Sequence, residues 1–166
     1  LSGDVMLMQG IQLIAKKNHP QLHNILTLFN TTAIEVCEGQ QMDMDFETSS
    51  DVTIDDYLKM IELKTAVLLA ASLKIGAVLA NASEEDANHL YAFGKNLGIA
   101  FQLMDDVLDL YGDPNKVGKR VGGDILANKK TYLLLKAVEL AKDEKRKELD
   151  LYFSSENVDD SVKIEK

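Results

Sequence analysis

One short stretch, FQLMDDVLD at residues 101–109, holds the side chains best suited to chemistry. It carries three carboxylates, Asp105, Asp106 and Asp109. Residues three and four positions apart share one face of a helix, so the spacing predicts an acidic stripe that also includes Gln102. Ionised carboxylates side by side at the negative end of a helix are costly. A hard divalent cation such as magnesium (Mg2+) would offset that cost, and a solvent-exposed helix end is the alternative that the pattern leaves open.

Several cations lie where an anion would be needed to balance them. Lys64 and Thr65 interrupt the apolar helical run at residues 61–80. Lys119 lies in a glycine-rich stretch and Lys129 follows it, and each has a second cation beside it. A diphosphate held between magnesium and these lysines would satisfy both sets of charges. Taken singly, each lysine is better explained as a surface side chain.

The elements that position these residues are predicted to be helices. Only two prolines occur, and runs of Leu, Ala, Met, Lys and Glu place apolar residues three and four positions apart. The sequence therefore predicts an all-α fold, an antiparallel bundle of long helices forming one domain over residues 1–166. The predicted helices cover residues 1–17, 21–44, 54–82, 84–111, 128–141 and 144–153.

The predicted boundaries rest on capping residues and breakers. Thr53 with Asp56, and Ser83 with Asp86, are typical of capping boxes at helix starts. Polar residues 45–53 are predicted to form a loop. The glycine-rich residues 113–123 are expected to form a mobile loop, and residues 156–166 an acidic tail or a helix cut short.

Composition narrows the classes of partner. The chain has 166 residues, of which 46% are hydrophobic, and a formal charge of -9. This charge disfavours nucleic acid or an anionic membrane surface as a general partner. The single cysteine, Cys37, excludes an internal disulfide and agrees with a reducing compartment. No run approaches the roughly 20 apolar residues of a membrane helix, so we expect a cytoplasmic protein without stable membrane insertion.

Five blocks of the sequence resemble, in the same order, those of the trans-isoprenyl diphosphate synthases, the farnesyl, geranylgeranyl and polyprenyl diphosphate synthase family. The first three blocks are LSGDVMLMQG, EGQQMD and YLKMIELKTAVLLAASLKIGAVLA. The last two are FQLMDDVLD with YGDP, and GKRVGGDI with NKKT. The resemblance covers almost the whole chain and implies part of the isoprenoid synthase fold.

The resemblance also implies roles for individual residues. Asp105 and Asp109 resemble direct ligands of magnesium on an allylic diphosphate, and Asp106 resembles a supporting carboxylate. The diphosphate-binding and substrate-binding set that the resemblance implies is Lys64, Thr65, Phe101, Gln102, Lys119 and Lys129. Family members ionise the allylic diphosphate, and isopentenyl diphosphate attacks the resulting carbocation. The implied partners are these two diphosphates and a second copy of the chain, as a homodimer.

Two motifs of the family pattern are missing from this sequence. The family uses two aspartate-rich motifs on facing helices, and residues 1–166 contain one DDxxD. The family's isopentenyl-binding glycine-lysine-arginine segment also belongs to the missing half, which precedes the block of Gly3 and Asp4, and it is distinct from the GKR of GKRVGGDI. We therefore expect a C-terminal part of a synthase that is inactive by itself.

Rival classes remain. Terpene cyclases and head-to-head synthases share aspartate-rich helices but not the GKRVGGDI and NKKT continuation. The alternative from another class is a non-catalytic helical subunit or interaction module derived from a synthase. Product chain length, allylic substrate preference and homomeric or heteromeric assembly stay open.

Overall fold

The computed structural model of the chain describes residues 1–113, 116, 118, 122–127 and 129–154. Within these ranges the chain is helical and has no strand, which confirms the all-α prediction. No helix in this part of the chain combines the length and the apolar character needed to cross a membrane. The elements are α1 (Ser2–Ala15), α2 (Leu22–Thr48), α3 (Ile54–Ile61), a π-helical segment (Glu62–Ala66), α4 (Val67–Leu79), α5 (Glu84–Tyr111), α6 (Gly123–Leu126), α7 (Tyr132–Leu140) and α8 (Asp143–Ser154).

Both predicted capping boxes are present. At the start of α3, the Asp56 amide donates to Thr53 Oγ1 at 3.1 Å, and the Thr53 amide donates to Asp56 Oδ2 at 3.0 Å. At the start of α5, the Asp86 amide donates to Ser83 Oγ at 3.0 Å, and the Ser83 hydroxyl donates to Asp86 Oδ2 at 2.7 Å. These bonds satisfy amides that a helix start would otherwise leave unpaired, so α3 and α5 begin where the sequence predicted.

Several predicted helix boundaries are wrong. Helix α2 continues to Thr48, because the Ser49 amide still donates to the Asp45 carbonyl at 3.2 Å and Gln41 Nε2 supports the turn by donating to Asp45 Oδ1 at 2.8 Å. The helix predicted over residues 54–82 is interrupted by the π-helical segment and ends at Leu79.

The predicted helix at residues 128–141 also begins later than expected. Thr131 is the N-cap of α7: its backbone is extended, with φ −78° and ψ 162°, and its side chain accepts from the Leu134 amide. Lys129 and Lys130 therefore precede the helix instead of lying in its first turn. Most of the predicted loop at 113–123, and the tail at 156–166, lie outside the described residues.

The chain divides into two compact units, and the first comprises Leu1–Gly39 and Glu62–Gly98. Its helices α4 and α5 approach closely through small residues, since a Cβ added at Gly94 would lie 2.7 Å from Ala70 Cα. An ion pair lies in the same unit, where Lys95 Nζ is 3.6 Å from Glu62 Oε2. The buried hydrophobic residues of the unit are Ile25, Leu63, Ala66, Val67, Ala70, Ala71, Ala77 and Ala87.

The second unit comprises Gln40–Ile61 and Ile99–Lys166. Its core is the buried cluster of Tyr57, Met60 and Ile61 on α3. Partly buried side chains from α2, α3, α5 and α7 pack against this cluster: Met42, Phe46, Leu58, Ile99, Leu103, Tyr132 and Leu135. The acidic stripe of α5 lies in this unit. The single-domain organisation of residues 1–166 stays a prediction.

A buried carboxylate site on helix α5

Asp106 is the most deeply buried charged side chain at the site, with 4% of its surface exposed. Its Oδ2 accepts hydrogen bonds from the Tyr57 hydroxyl at 2.5 Å and from the Tyr132 amide at 3.4 Å, and Gln102 also bonds to the carboxylate. Burial raises the pKa of Asp106, and these donors act in the opposite direction. Asp106 therefore ties α5 to α3 and α7 within the second unit.

Tyr57 is a site residue that the sequence did not predict. It is 3% exposed on α3, and burial together with the bond to Asp106 raises the pKa of its phenol. The hydroxyl therefore stays protonated and donates to the carboxylate. A buried tyrosine hydroxyl needs a polar partner, but a single sequence does not show which of its carboxylates supplies one.

Asp109 has a different environment, next to the start of α6. It is 9% exposed, and its Oδ2 accepts from the Asp124 amide at 3.0 Å. Its carbonyl accepts from the Gly122 amide at 2.7 Å. A Cβ added at Gly123 would lie 3.4 Å from Asp109 Oδ1, so this carboxylate rests against the backbone of residues 122–124.

Lys129 extends this arrangement toward the surface. Its Nζ lies 2.9 Å from Asp124 Oδ1. The hydrogen bond to Asp124 raises the pKa of Lys129, with smaller contributions from the charges of Asp43 and Asp109. Lys129, which the sequence predicts to bind diphosphate, is thus paired with Asp124, whose amide donates to Asp109. Asp124 lies in the GKRVGGDI block, but its role was not predicted from the sequence.

The acidic stripe lies on the buried face of this part of α5. Asp106 and Asp109 are buried, whereas Phe101 and Met104 are 65% and 57% exposed. The alternative of solvent-exposed carboxylates at a helix end is wrong for Asp106 and Asp109. The reason is that α3 and the segments around residues 122–132 supply hydrogen-bond donors to the carboxylate face.

The remaining predicted site residues are dispersed over the chain. Asp105 is half-buried on α5, four residues before Asp109. Lys64 and Thr65 are half-buried in the π-helical segment and belong to the first unit. Lys119 lies outside the described residues. The second unit brings together Gln102, Asp106, Asp109 and Lys129. It adds three residues that were not predicted from the sequence, Tyr57, Asp124 and Tyr132.

The donor set at the site suits a hard cation that is completed by ligand oxygens. In the described ranges, no three His, Cys, Asp or Glu side chains converge to hold a metal ion. Magnesium does not require such a cage, because it binds through one or two carboxylates, several waters and phosphate oxygens. Asp105 and Asp109, one helical turn apart, fit that requirement. The assignment of magnesium to them stays a prediction.

The fold and the site together define an all-helical protein with a buried acidic stripe on α5. The sequence pattern of the polyprenyl synthetase family matches residues 1–166. The chain belongs to the polyprenyl synthetase family.

Curated relatives and solved structures agree with this assignment. The short chain isoprenyl diphosphate synthase of Methanocaldococcus jannaschii is 40% identical over 161 residues, which cover 96% of this chain and 49% of the relative. A crystal structure of a geranylgeranyl pyrophosphate synthase is 46% identical, with a TM-score of 0.89 over 99% of this chain and 50% of that one. The chain thus spans about half the length of the relatives it matches.

A second similar structure was solved with ligands. It is the polyprenyl synthase from Caulobacter crescentus complexed with calcium and isoprenyl diphosphate. It is 27% identical in sequence and has a TM-score of 0.85. The match covers 97% of this chain and 48% of the Caulobacter chain. The all-α isoprenyl diphosphate synthase fold predicted from the sequence is confirmed by these neighbours.

Proposed function

We propose that the natural protein containing these 166 residues is an isoprenyl diphosphate synthase. It condenses isopentenyl diphosphate with an allylic diphosphate and forms a longer trans-isoprenyl diphosphate. Family membership supports this proposal, as does the bound calcium and isoprenyl diphosphate of the Caulobacter relative. The observation that carries it is the pair Asp105 and Asp109, one turn apart on a helix whose intervening Asp106 is buried and fixed by hydrogen bonds.

The three carboxylates of the stripe have different roles in this proposal. Asp105 and Asp109 are the residues that would hold magnesium, and Asp106 supports them by fixing the rotation of α5 through Tyr57 and the Tyr132 amide. When bound, magnesium supplies positive charge to the diphosphate leaving group. The Asp124 amide orients Asp109 by donating to Oδ2, which leaves Oδ1 as the oxygen for a ligand.

Four side chains are assigned to the diphosphate oxygens. The lysines Lys64, Lys119 and Lys129 bind them as point charges that replace water when the substrate enters, and the Thr65 hydroxyl donates a hydrogen bond. Phe101 and Gln102 line the binding site of the allylic substrate. Condensation proceeds by loss of the allylic diphosphate, attack of the isopentenyl double bond on the allylic carbon, and transfer of the resulting proton to the departing diphosphate.

Assembly and location are part of the proposal. We assign the protein to the cytoplasm and infer a homodimer. The apolar runs 66–73 and 7–14 support self-association, since Leu13 is 65% exposed and Leu68 57% exposed. Large exposed apolar patches mark surfaces that pack against protein.

A non-catalytic helical subunit or interaction module is the second candidate. One observation favours it, namely that residues 1–166 contain a single DDxxD motif. Ionising an allylic diphosphate requires its charge to be neutralised from more than one side. A subunit of this kind would bind diphosphate and metal weakly and would release no product.

The test is a condensation assay on the purified natural protein. It is incubated with radiolabelled isopentenyl diphosphate, magnesium, and dimethylallyl, geranyl or farnesyl diphosphate in turn. We expect longer allylic diphosphates, their loss with a chelator and their recovery on adding magnesium. The isolated 166-residue chain, in the same assay, is expected to give no product. A folded natural protein without product from any of the three substrates would favour the non-catalytic subunit.

A further inference from the structure

The first unit contains the π-helical segment Glu62–Ala66. This segment contains Lys64 and Thr65, both half-buried, and is followed directly by α4. Such π segments are rare and are frequently found at functional sites. A π turn has one more residue than an α turn, so it changes the direction in which the side chains of its residues leave the helix.

Gly39 on α2 lies against this segment with no room for a side chain. It is buried, and a Cβ added there would lie 2.7 Å from Lys64 Cα and 2.8 Å from the carbonyl carbon of Leu63, and closer still to the Lys64 amide nitrogen. All three neighbours are backbone atoms, which cannot turn aside as the end of a flexible side chain does. Any residue other than glycine at position 39 must therefore shift either α2 or the backbone at Lys64.

Gly98 on α5 makes the corresponding contact at the other end of the segment. A Cβ added there would lie 2.5 Å from Ala66 Cα and 2.8 Å from Ala66 Cβ. The backbone of the π turn is thus bordered by α2 at Leu63 and Lys64, and by α5 at Ala66. Two glycines on two different helices meet one five-residue segment.

We propose that Gly39 and Gly98 are positioning residues for Lys64. The absence of their side chains lets α2 and α5 lie directly on the π turn, and this close contact sets the backbone position from which Lys64 reaches its diphosphate. The inference rests on the proposed role of Lys64 and deepens it. Neither glycine touches the substrate, and both act through Lys64.

The size of the overlap decides whether the effect is measurable. Carbon atoms in ordinary contact are about 3.5–4.0 Å apart, so the 2.7 Å separation at Gly39 requires a shift of about 1 Å. A displacement of about 1 Å at a binding group can cost on the order of a hundredfold in catalysis. A methyl group at position 39 should therefore weaken diphosphate binding well beyond its effect on folding.

Gly94 offers a matched control for this experiment. A Cβ at Gly94 would lie 2.7 Å from Ala70 Cα and 3.0 Å from the Ala70 amide nitrogen, so it too would overlap backbone atoms, although its closest contact is longer than the one at Gly39. Ala70 lies on α4, beyond the π-helical segment. Gly94→Ala should thus destabilise the fold in the same way without moving Lys64.

The experiment is run on the natural protein with the variants Gly39→Ala, Gly98→Ala, Gly94→Ala and Lys64→Ala. Titration calorimetry gives the Kd of inorganic pyrophosphate in the presence of magnesium, and thermal unfolding gives Tm. We expect Gly39→Ala, Gly98→Ala and Gly94→Ala all to lower Tm. Gly39→Ala and Gly98→Ala should also weaken pyrophosphate binding, by tenfold or more, and Gly94→Ala should not. Adding Gly39→Ala to Lys64→Ala should weaken binding little further, because both act on one interaction.

The binding measurements distinguish failure of the positioning role from failure of the proposed role of Lys64. If Lys64→Ala weakens binding but Gly39→Ala binds like Gly94→Ala, the positioning role is overturned and the proposed function stands. If Lys64→Ala binds pyrophosphate as well as the unaltered protein, the proposed role of Lys64 fails and the inference fails with it. If Gly39→Ala does not fold, Gly98→Ala is compared with Gly94→Ala by the same measurements, and equal binding by those two contradicts the inference.

Discussion

The Tyr57 hydroxyl and the Asp106 carboxylate lie 2.5 Å apart, although 49 residues separate them in the sequence. The bond joins α3 to α5, and the Tyr132 amide adds α7 to the same carboxylate oxygen. Asp106 lies between Asp105 and Asp109. The hydrogen bonds that hold the second unit together therefore also set the orientation of the proposed metal ligands.

Replacing Tyr57 by Phe should destabilise the second unit. The change removes one donor from a buried carboxylate, which costs about 1–3 kcal/mol. Urea unfolding followed by circular dichroism measures it. Tyr91→Phe is the control, since Tyr91 is half-buried on α5 and its ring lies 5.6 Å from the Lys74 ammonium, a contact that phenylalanine retains. Equal stability of the Tyr57→Phe variant and the unaltered chain would show that this bond contributes nothing.

The cap at the start of α3 predicts a pH dependence of stability. Hydrogen bonds from the Thr53 side chain and amide lower the pKa of Asp56 below its usual 3.8. The unfolded chain therefore binds more protons than the native one between the two pKa values, and the stabilisation is present above 3.8 and lost as pH falls through the lowered value. The unaltered chain should exceed Asp56→Asn in urea midpoint at neutral pH, and this difference should disappear in acid.

Asp55→Asn is the matched control for the cap. Asp55 lies in the same first turn of α3 and is exposed. Its replacement removes the same charge without removing the hydrogen bonds to Thr53. A loss of stability equal to that of Asp56→Asn would mean that the helix dipole, not the cap, accounts for the effect.

Lys129 and Lys130 should differ in the natural protein despite being neighbours. Lys129 is paired with Asp124 at 2.9 Å, and the amide of Asp124 binds Asp109 at 3.0 Å. Lys129→Ala should therefore lower kcat/KM much more than Lys130→Ala, measured with allylic and isopentenyl diphosphates. Equal losses in the two variants would remove the argument that the pairing with Asp124 marks the diphosphate-binding lysine.

Self-association should be measurable for the isolated chain. Leu13 on α1 and Leu68 on α4 are exposed apolar side chains within the proposed pairing runs. Light scattering should give a mass at least twice that of one chain, and Leu13→Glu with Leu68→Glu should lower it. Leu140→Glu, a change at a 65% exposed leucine of α7, is the control that should leave it unchanged. A monodisperse monomer would contradict this expectation.

Local features of the fold were predictable from the sequence because they depend on neighbouring residues. The pairs Thr53 with Asp56 and Ser83 with Asp86 are three residues apart, and their hydrogen bonds start α3 and α5 as expected. The helix predicted over residues 84–111 has those bounds in the structure. The family and the all-α fold also followed from ordered blocks of sequence.

Features that depend on distant residues were not predictable. The π turn at Glu62–Ala66 meets Gly39 on another helix, and no local pattern in ELKTA encodes that contact. The spacing of Asp106 and Asp109 placed them on α5 but did not show that their face is buried while Phe101 is exposed. Tyr57 was missed because its partner is fixed only by tertiary packing.

The turnover of Asp105→Ala in the natural protein tests the central claim, that the stripe on α5 holds the metal bound to diphosphate. Asp45→Ala is its control, since Asp45 is an exposed carboxylate on α2. With magnesium and both diphosphates at saturation, we predict that Asp105→Ala lowers kcat by at least about a hundredfold, the scale of losing one electrostatic contact to the transition state. Asp45→Ala should keep the unaltered rate. An Asp105→Ala variant that turns over as fast as Asp45→Ala would contradict the metal assignment.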